Sequence, residues 1–197
     1  MPVSFSDLAT GLSKLGLTKN LVIAHASLRA FGPIEGGAET MLNALLDSVR
    51  GIIMPTFTYK TMLNPEIGPP KNGITYGSDS DLNKMAECFH PDMPVDPTMG
   101  VLPEVLRKHP KAKRSSHPIQ SFAGIRADAL LNTQTIYNPL APFIEKYTRR
   151  VEIGNALVQA MHLKSLIKVV VDQLKENPFA LLCDRQDCER CTAVRWS

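Results

Sequence analysis

Leu8, Leu12 and Leu15 recur at helical spacing ahead of Gly16, with Ser6 placed to cap, so a helix is expected at the start of the chain. Leu21 to Ala26 is a short apolar run rich in branched side chains and reads as a buried strand. A glycine loop, FGPIEGGA, spans 31–38, and Met41, Leu42, Leu45, Leu46 and Val49 then form a second helical stripe that stops near Gly51. Ile52 to Met54 gives another buried strand, closed by Pro55. Strand, loop, helix and strand in that order predict an α/β fold with a parallel pair at its centre. Pro65, Gly68, Pro69, Pro70, Gly73 and Gly77 make 64–77 an extended loop. Further on, 101–108 predicts a helix ended by Pro110, and 121–125 a strand. Leu163, Leu166, Ile167, Val170, Val171 and Leu174 form an amphipathic stripe before Pro178.

The chain has 197 residues, 44% of them hydrophobic and 21% charged, which suits one domain, 1–197, able to bury its own core. The first twenty residues carry Asp7 and no basic start leading into an apolar run, and no apolar stretch is long enough to span a bilayer. A cytoplasmic protein with no membrane partner is expected. The net charge of +3 is too small to argue for nucleic acid. Its distribution is more informative. Arg107, Lys108, Lys111, Lys113 and Arg114 crowd into RKHPKAKR without an acid, whereas Asp79, Asp81, Glu87, Asp92 and Asp96 face only Lys84 between 78 and 96. The basic run lacks interleaved aromatics, so nucleic acid is not the expected partner. It reads either as a solvated helix end or as one of two surfaces suited to ligands of opposite charge.

Three clusters can carry chemistry. His25-Ala-Ser-Leu28 lies where a strand meets the glycine loop, the place where open α/β sheets bind ligands and where helix-start amides hold phosphate oxygens. The letters fit neither a P-loop nor a dinucleotide fingerprint, and a plain tight turn is an equal reading. Arg114-Ser-Ser-His-Pro118 groups a planar cation, two hydroxyls and an imidazole able to donate or accept; a turn fixed by Pro118 is the competing reading. Cys183, Cys188 and Cys191 form C-x4-C-x2-C, which in a cytoplasmic chain suggests metal before disulfide. A structural zinc needs a fourth ligand, and Cys88 or His162 can supply one only through the fold; otherwise these are ordinary reduced thiols.

Four stretches taken together, VIAHASLRAFGPIEGGAET (22–40), IIMPTFTY (52–59), MGVLPEVLRKHPKAKRSSHPIQSFAGIRADAL (99–130) and NPLAPFIEKY (138–147), resemble the aminoglycoside 3-N-acetyltransferase family, in the family's order. The tail at 153–183 resembles the end of relatives with a cysteine-rich terminus. The resemblance implies a layered α/β/α fold with a mixed or mostly parallel sheet, acetyl-coenzyme A as donor and a small-molecule amine as acceptor. It implies that His25, Ala26, Ser27 and Leu28, with Ile34, Gly36 and Gly37, hold the pantetheine and diphosphate. Arg114, Ser115 and Ser121 would lie beside them. His117 is then the candidate for a cofactor or substrate contact, and in the catalytic role it would act as base. His25, ending an apolar strand, reads better as a satisfied structural histidine. Asp79 and Asp81 lead the acidic stretch expected to face a polycationic substrate.

The chain departs from the family at one point. Relatives place a strand and a block carrying a catalytic histidine and an acidic partner after the NPLAPFIEKY segment, whereas here Tyr147 runs through TRRVE directly to Ile153. Two rivals follow: a catalytically silent coenzyme-A-binding remnant, and a zinc-stabilised interaction module built on the 183–191 cysteine cluster. Oligomeric state is not legible in the sequence.

Overall fold

The computed structural model describes residues 1–68, 76–77, 83–134, 149–160 and 163–176. Its first helix, α1 (Phe5–Ser13), is capped by Ser4 and not by Ser6, which lies inside the helix. The Ser4 hydroxyl accepts from the Asp7 N–H at 3.2 Å, and the Asp7 carboxylate accepts from the Ser4 N–H at 2.9 Å, a reciprocal capping box. Strand β1 (Leu21–Ile23) is half the expected length, because the chain leaves the sheet after Ala24. A 3-10 turn over Leu28–Phe31, which the sequence pattern did not predict, leads through the glycine loop to α2 (Gly37–Ser48). Strand β2 (Gly51–Pro55) follows. Helix α3 (Val101–Lys108) falls where it is expected, then come β3 (Lys113–Arg114), β4 (Phe122–Ile125) and the short α4 (Asp128–Leu131). A hairpin, β5 (Arg149–Ile153) and β6 (Ala156–Ala160), precedes α5 (Leu163–Glu176).

The four-stranded sheet runs β1-β2-β4-β3. β1 and β2 pair in parallel, as the strand–helix–strand order requires, while β4 is antiparallel to both β2 and β3, so the sheet is mixed. The pleat assigns the core. Ile52 and Met54 of β2, with Ala123 and Ile125 of β4, face α1, α2 and α3, and Leu8, Leu42 and Leu106 from those three helices are fully buried there. Ile53 and Phe122 point the other way, to Leu131 of α4 and to Leu21, Ile23 and Phe57. At roughly 1.5–3 kcal/mol for each fully buried aliphatic or aromatic side chain, the three-helix face carries most of the stabilisation. Period-two alternation along β2 thus gives both layers of an α/β arrangement.

Among the described side chains of α5, Ile167 and Val171 on its apolar stripe remain largely exposed. No helix among the described residues is long and apolar enough to cross a membrane.

Candidate functional site at the carboxyl edge of the sheet

Because β1 and β2 are parallel, the chain leaves both at the same edge. The antiparallel β4 begins there. Ala24 still donates to the Ile53 carbonyl (2.9 Å), while Thr56 and Thr58 extend β2 by donating from their amides to the carbonyls of Ser121 (2.8 Å) and Ile119 (2.9 Å). Topology therefore brings the His25–Leu28 segment and the 114–121 loop to one end of the sheet, although they lie far apart in sequence.

The two halves differ in how their polar groups are used. His25 and Ser27 are exposed, and among the described residues neither side chain has a hydrogen-bond partner. His25 stands past the end of β1, and among the described residues no partner supports reading it as a satisfied structural histidine. Beyond it, Gly36 adopts a left-handed conformation (φ 70°) that starts α2, and the Gly37 N–H closes on the Ile34 carbonyl at 3.0 Å. A Cβ at Gly36 would meet the Thr40 hydroxyl at 2.3 Å, so glycine is required there both for its dihedral and for space. The remaining first-turn amides of α2 have no acceptor four residues back and point out of the helix start.

Arg114 is engaged inside the protein. Its Nε donates to the Ser121 hydroxyl (3.1 Å), Nη1 to the carbonyls of Pro91 (2.9 Å) and Met93 (2.5 Å), and Nη2 to the Thr56 carbonyl (2.7 Å). The guanidinium also lies 5.3 Å from the centre of the Phe89 ring. Burial, then repulsion from Arg107, pulls its pKa down to about 10, which leaves it charged at neutral pH. Ser121 is fully buried and donates to the Thr56 carbonyl at 2.7 Å. Ser115 accepts from the Phe122 N–H at 2.8 Å and donates to the Gln134 amide oxygen. Four of the five guanidinium donors and both hydroxyls thus hold the 89–95 and 115–121 loops against the end of β2.

His117 is oriented by its own turn. The amides of Ile119 (3.2 Å) and Gln120 (2.9 Å) both donate into Nδ1. That arrangement engages Nδ1 as an acceptor and leaves Nε2 as the ring nitrogen available to a ligand. The turn is pinned by the hydroxyls of Thr58 (2.6 Å) and Thr61 (2.8 Å), both donating to the Pro118 carbonyl. The letters carry no signal for these threonines, since nothing local ties Thr58 to a residue sixty positions away.

The basic run is less uniform than its letters. The Arg107 side chain is 9% exposed and grips Glu104 through two bonds (3.0 and 2.6 Å), with Lys108 on the same carboxylate at 3.0 Å. Partial burial pushes the Glu104 carboxyl up, but Arg107, the Val95 N–H and Lys108 outweigh it and hold the pKa at about 2. In the acidic stretch, Glu87 pairs with Lys60 (3.1 Å) and Asp96 caps the turn at Thr98 (2.9 Å), so both serve the fold. Asp79, Asp81, Cys183, Cys188 and Cys191 lie outside the described residues. Cys88 is exposed, and among the described residues no group of three or more His, Cys, Asp or Glu is placed to hold a metal. A shallow cleft of about 400 Å³ between α1 and β5, lined by Asp7, Lys14 and Glu152 among others, contains none of the residues proposed to hold coenzyme or substrate.

A model of the aminoglycoside 3-N-acetyltransferase family matches residues 23–143, more than half of the chain. The chain is 37% identical over 134 residues to aminoglycoside N(3)-acetyltransferase VII of Streptomyces paromomycinus, covering 65% of this chain and 44% of that protein. Its fold is similar to that of the aminoglycoside acetyltransferase AAC(3)-IVa apoenzyme (TM-score 0.72, 17% identity, 100% of this chain and 98% of that one). It is similar also to that of AAC-IIIb in a binary structure with CoASH (TM-score 0.58, 17% identity, 100% and 96%). The chain spans about half the length of the curated relatives it matches. On the extent of the family match and the agreement of the mixed-sheet fold, the chain belongs to the aminoglycoside 3-N-acetyltransferase family.

Proposed function

We propose that this chain binds acetyl-coenzyme A at the carboxyl edge of β1 and β2 and transfers its acetyl group to an amine of an aminoglycoside or a similar polyamine. The observation that carries the reading is the contrast within the edge. Among the described residues the His25 and Ser27 side chains have no hydrogen-bond partner and the start of α2 has only its Gly37 amide engaged, while the opposite wall is locked by Arg114, Ser115 and Ser121. Exposed Arg29 on the adjoining 3-10 turn adds a cation where a diphosphate would lie. Helix-start amides and a glycine at a left-handed corner suit phosphate oxygens. The relative solved with CoASH supports the same donor.

In the transfer itself, a neutral amine attacks the thioester carbonyl, and the thiolate leaves with the proton the amine gives up. Ser27 and neighbouring amides would stabilise the oxyanion. Arg114, Ser115 and Ser121 act as positioning residues. His117 contacts the donor or acceptor through Nε2. A general base is still needed, because such amines are largely protonated at neutral pH.

That need favours a second reading, a coenzyme-A-binding protein with little or no transferase activity. The Nδ1 lone pair of His117 is occupied by two amides, and β5 begins two residues after Tyr147, so no family base block intervenes. An acetylation assay with acetyl-coenzyme A and an aminoglycoside separates the two. Loss of a positioned base costs on the order of 100- to 10,000-fold, so slow turnover is expected. Turnover of about one per second or more would place an effective base elsewhere in the chain and retire the silent reading.

A further inference from the structure

The glycine loop that the proposed function assigns to coenzyme A is braced by two segments remote from it in sequence. On one side, Val3 pairs with Ile34 in parallel: its N–H donates to the Pro33 carbonyl (2.8 Å), and its carbonyl accepts from the Glu35 N–H (3.0 Å). On the other side, the Gly154–Asn155 turn of the β5–β6 hairpin lies against Phe31 and Gly32. The Asn155 N–H donates to the Phe31 carbonyl at 3.4 Å, and the Asn155 amide nitrogen stands 3.3 Å from where a Gly32 Cβ would be. At Gly154 (φ 58°), a Cβ would come within 2.5 Å of that carbonyl and 2.6 Å of Val3 Cγ2. The hairpin is anchored from below by buried Ile153, whose Cγ1 fills the space a side chain at Gly11 of α1 would take.

The geometry points to the Gly154–Asn155 turn as a positioning element for the coenzyme loop: it sets the path of Phe31–Gly36 and so the direction of the α2 amides. This rests on the coenzyme reading above and extends it. The residues proposed to touch the ligand all precede Tyr147, yet the geometry of their loop depends on a hairpin that follows it. Such a turn admits only a residue without a side chain, because both the left-handed dihedral and the Phe31 carbonyl exclude a Cβ. A merely stabilising hairpin would tolerate a shift of its tip. A positioning one would transmit that shift to the loop.

The test compares full-length Gly154→Ala with Leu131→Ala, a core variant on the opposite face of the sheet. Coenzyme A affinity is measured by calorimetry, and amide hydrogen exchange is followed across 31–37. The expected result is a loss of affinity of at least about tenfold and faster exchange in 31–37 for Gly154→Ala, with both near wild type for Leu131→Ala at comparable loss of stability. If Gly154→Ala does not fold, Ile153→Val loosens the hairpin against Gly11 without entering the loop and carries the same comparison. Wild-type binding with equal affinity in the hairpin variant would overturn the positioning role and leave the coenzyme reading standing. Failure of the wild type itself to bind would overturn both. Altered exchange in 31–37 would then show only a structural brace.

Discussion

Arg114→Ala removes a cation with four hydrogen bonds and one ring contact, and the cost follows from which acceptors it strands. The Thr56 carbonyl keeps its bond from the Ser121 hydroxyl, and that hydroxyl keeps its own acceptor, so neither is orphaned. The Pro91 carbonyl lies near solvent and can take water. The Met93 carbonyl is the chief loss, because Met93 is buried. One stranded carbonyl at roughly 1–3 kcal/mol, the charge-assisted bonds themselves and the lost packing bring the expected destabilisation to about 2–4 kcal/mol. For a domain of this size that is on the order of 10 °C in melting temperature. Urea unfolding of wild type, Arg114→Ala and Arg114→Lys checks it, with the lysine variant intermediate because its ammonium cannot span all four acceptors. Coenzyme A affinity is measured on the same samples and is expected to fall for Arg114→Ala through the displaced loop, and to stay near wild type for Lys108→Ala. An Arg114→Ala protein as stable as wild type would refute the clamp. A loss of affinity without any loss of stability would return Arg114 to a direct phosphate contact.

Two further outcomes follow from the geometry. Glu104, held at about 2 against an ordinary value of 4.5, contributes stability that is complete above pH 4.5 and is lost as pH falls from there through 2. Allowing for solvent screening, the effect is about 1–2 kcal/mol, and acid titration of unfolding should lose that step in Glu104→Gln. Gly36→Ala forces a side chain into a left-handed corner against Thr40, for an expected loss of roughly 1–2 kcal/mol and weaker coenzyme A binding; an unchanged melting temperature would remove the argument for a fixed corner.

The elements with clean periodicity were legible. The stripes at 41–49 and 101–108 became α2 and α3, and the parallel pair followed from strand–helix–strand order. Elements whose existence depends on partners were not. β3 is two residues of a basic run, made a strand by Gly124 and Ala123 opposite it. The hairpin at 149–160 carries no strong alternation and is set by packing on α1. The cap of α1 was misplaced by two residues because Ser4 and Ser6 are chemically equal, and only the reciprocal Asp7 bond decides between them. In the candidate site, the convergence of 25–28 with 114–121 was visible as two separate motifs. That Arg114 faces inward was not visible, since its acceptors are backbone carbonyls of Thr56, Pro91 and Met93, which leave no mark in the letters. The Glu104–Arg107 pair, at helical spacing, was readable and was passed over in favour of the run of positive charge.

The most direct test of the account is a calorimetric titration of coenzyme A into the 197-residue chain, repeated with Ser27→Ala and with Gly36→Ala. Saturable binding at one site per chain is expected, with a rise in melting temperature at saturation and weakening by both substitutions. Heats indistinguishable from dilution, with no change in melting temperature, would contradict it.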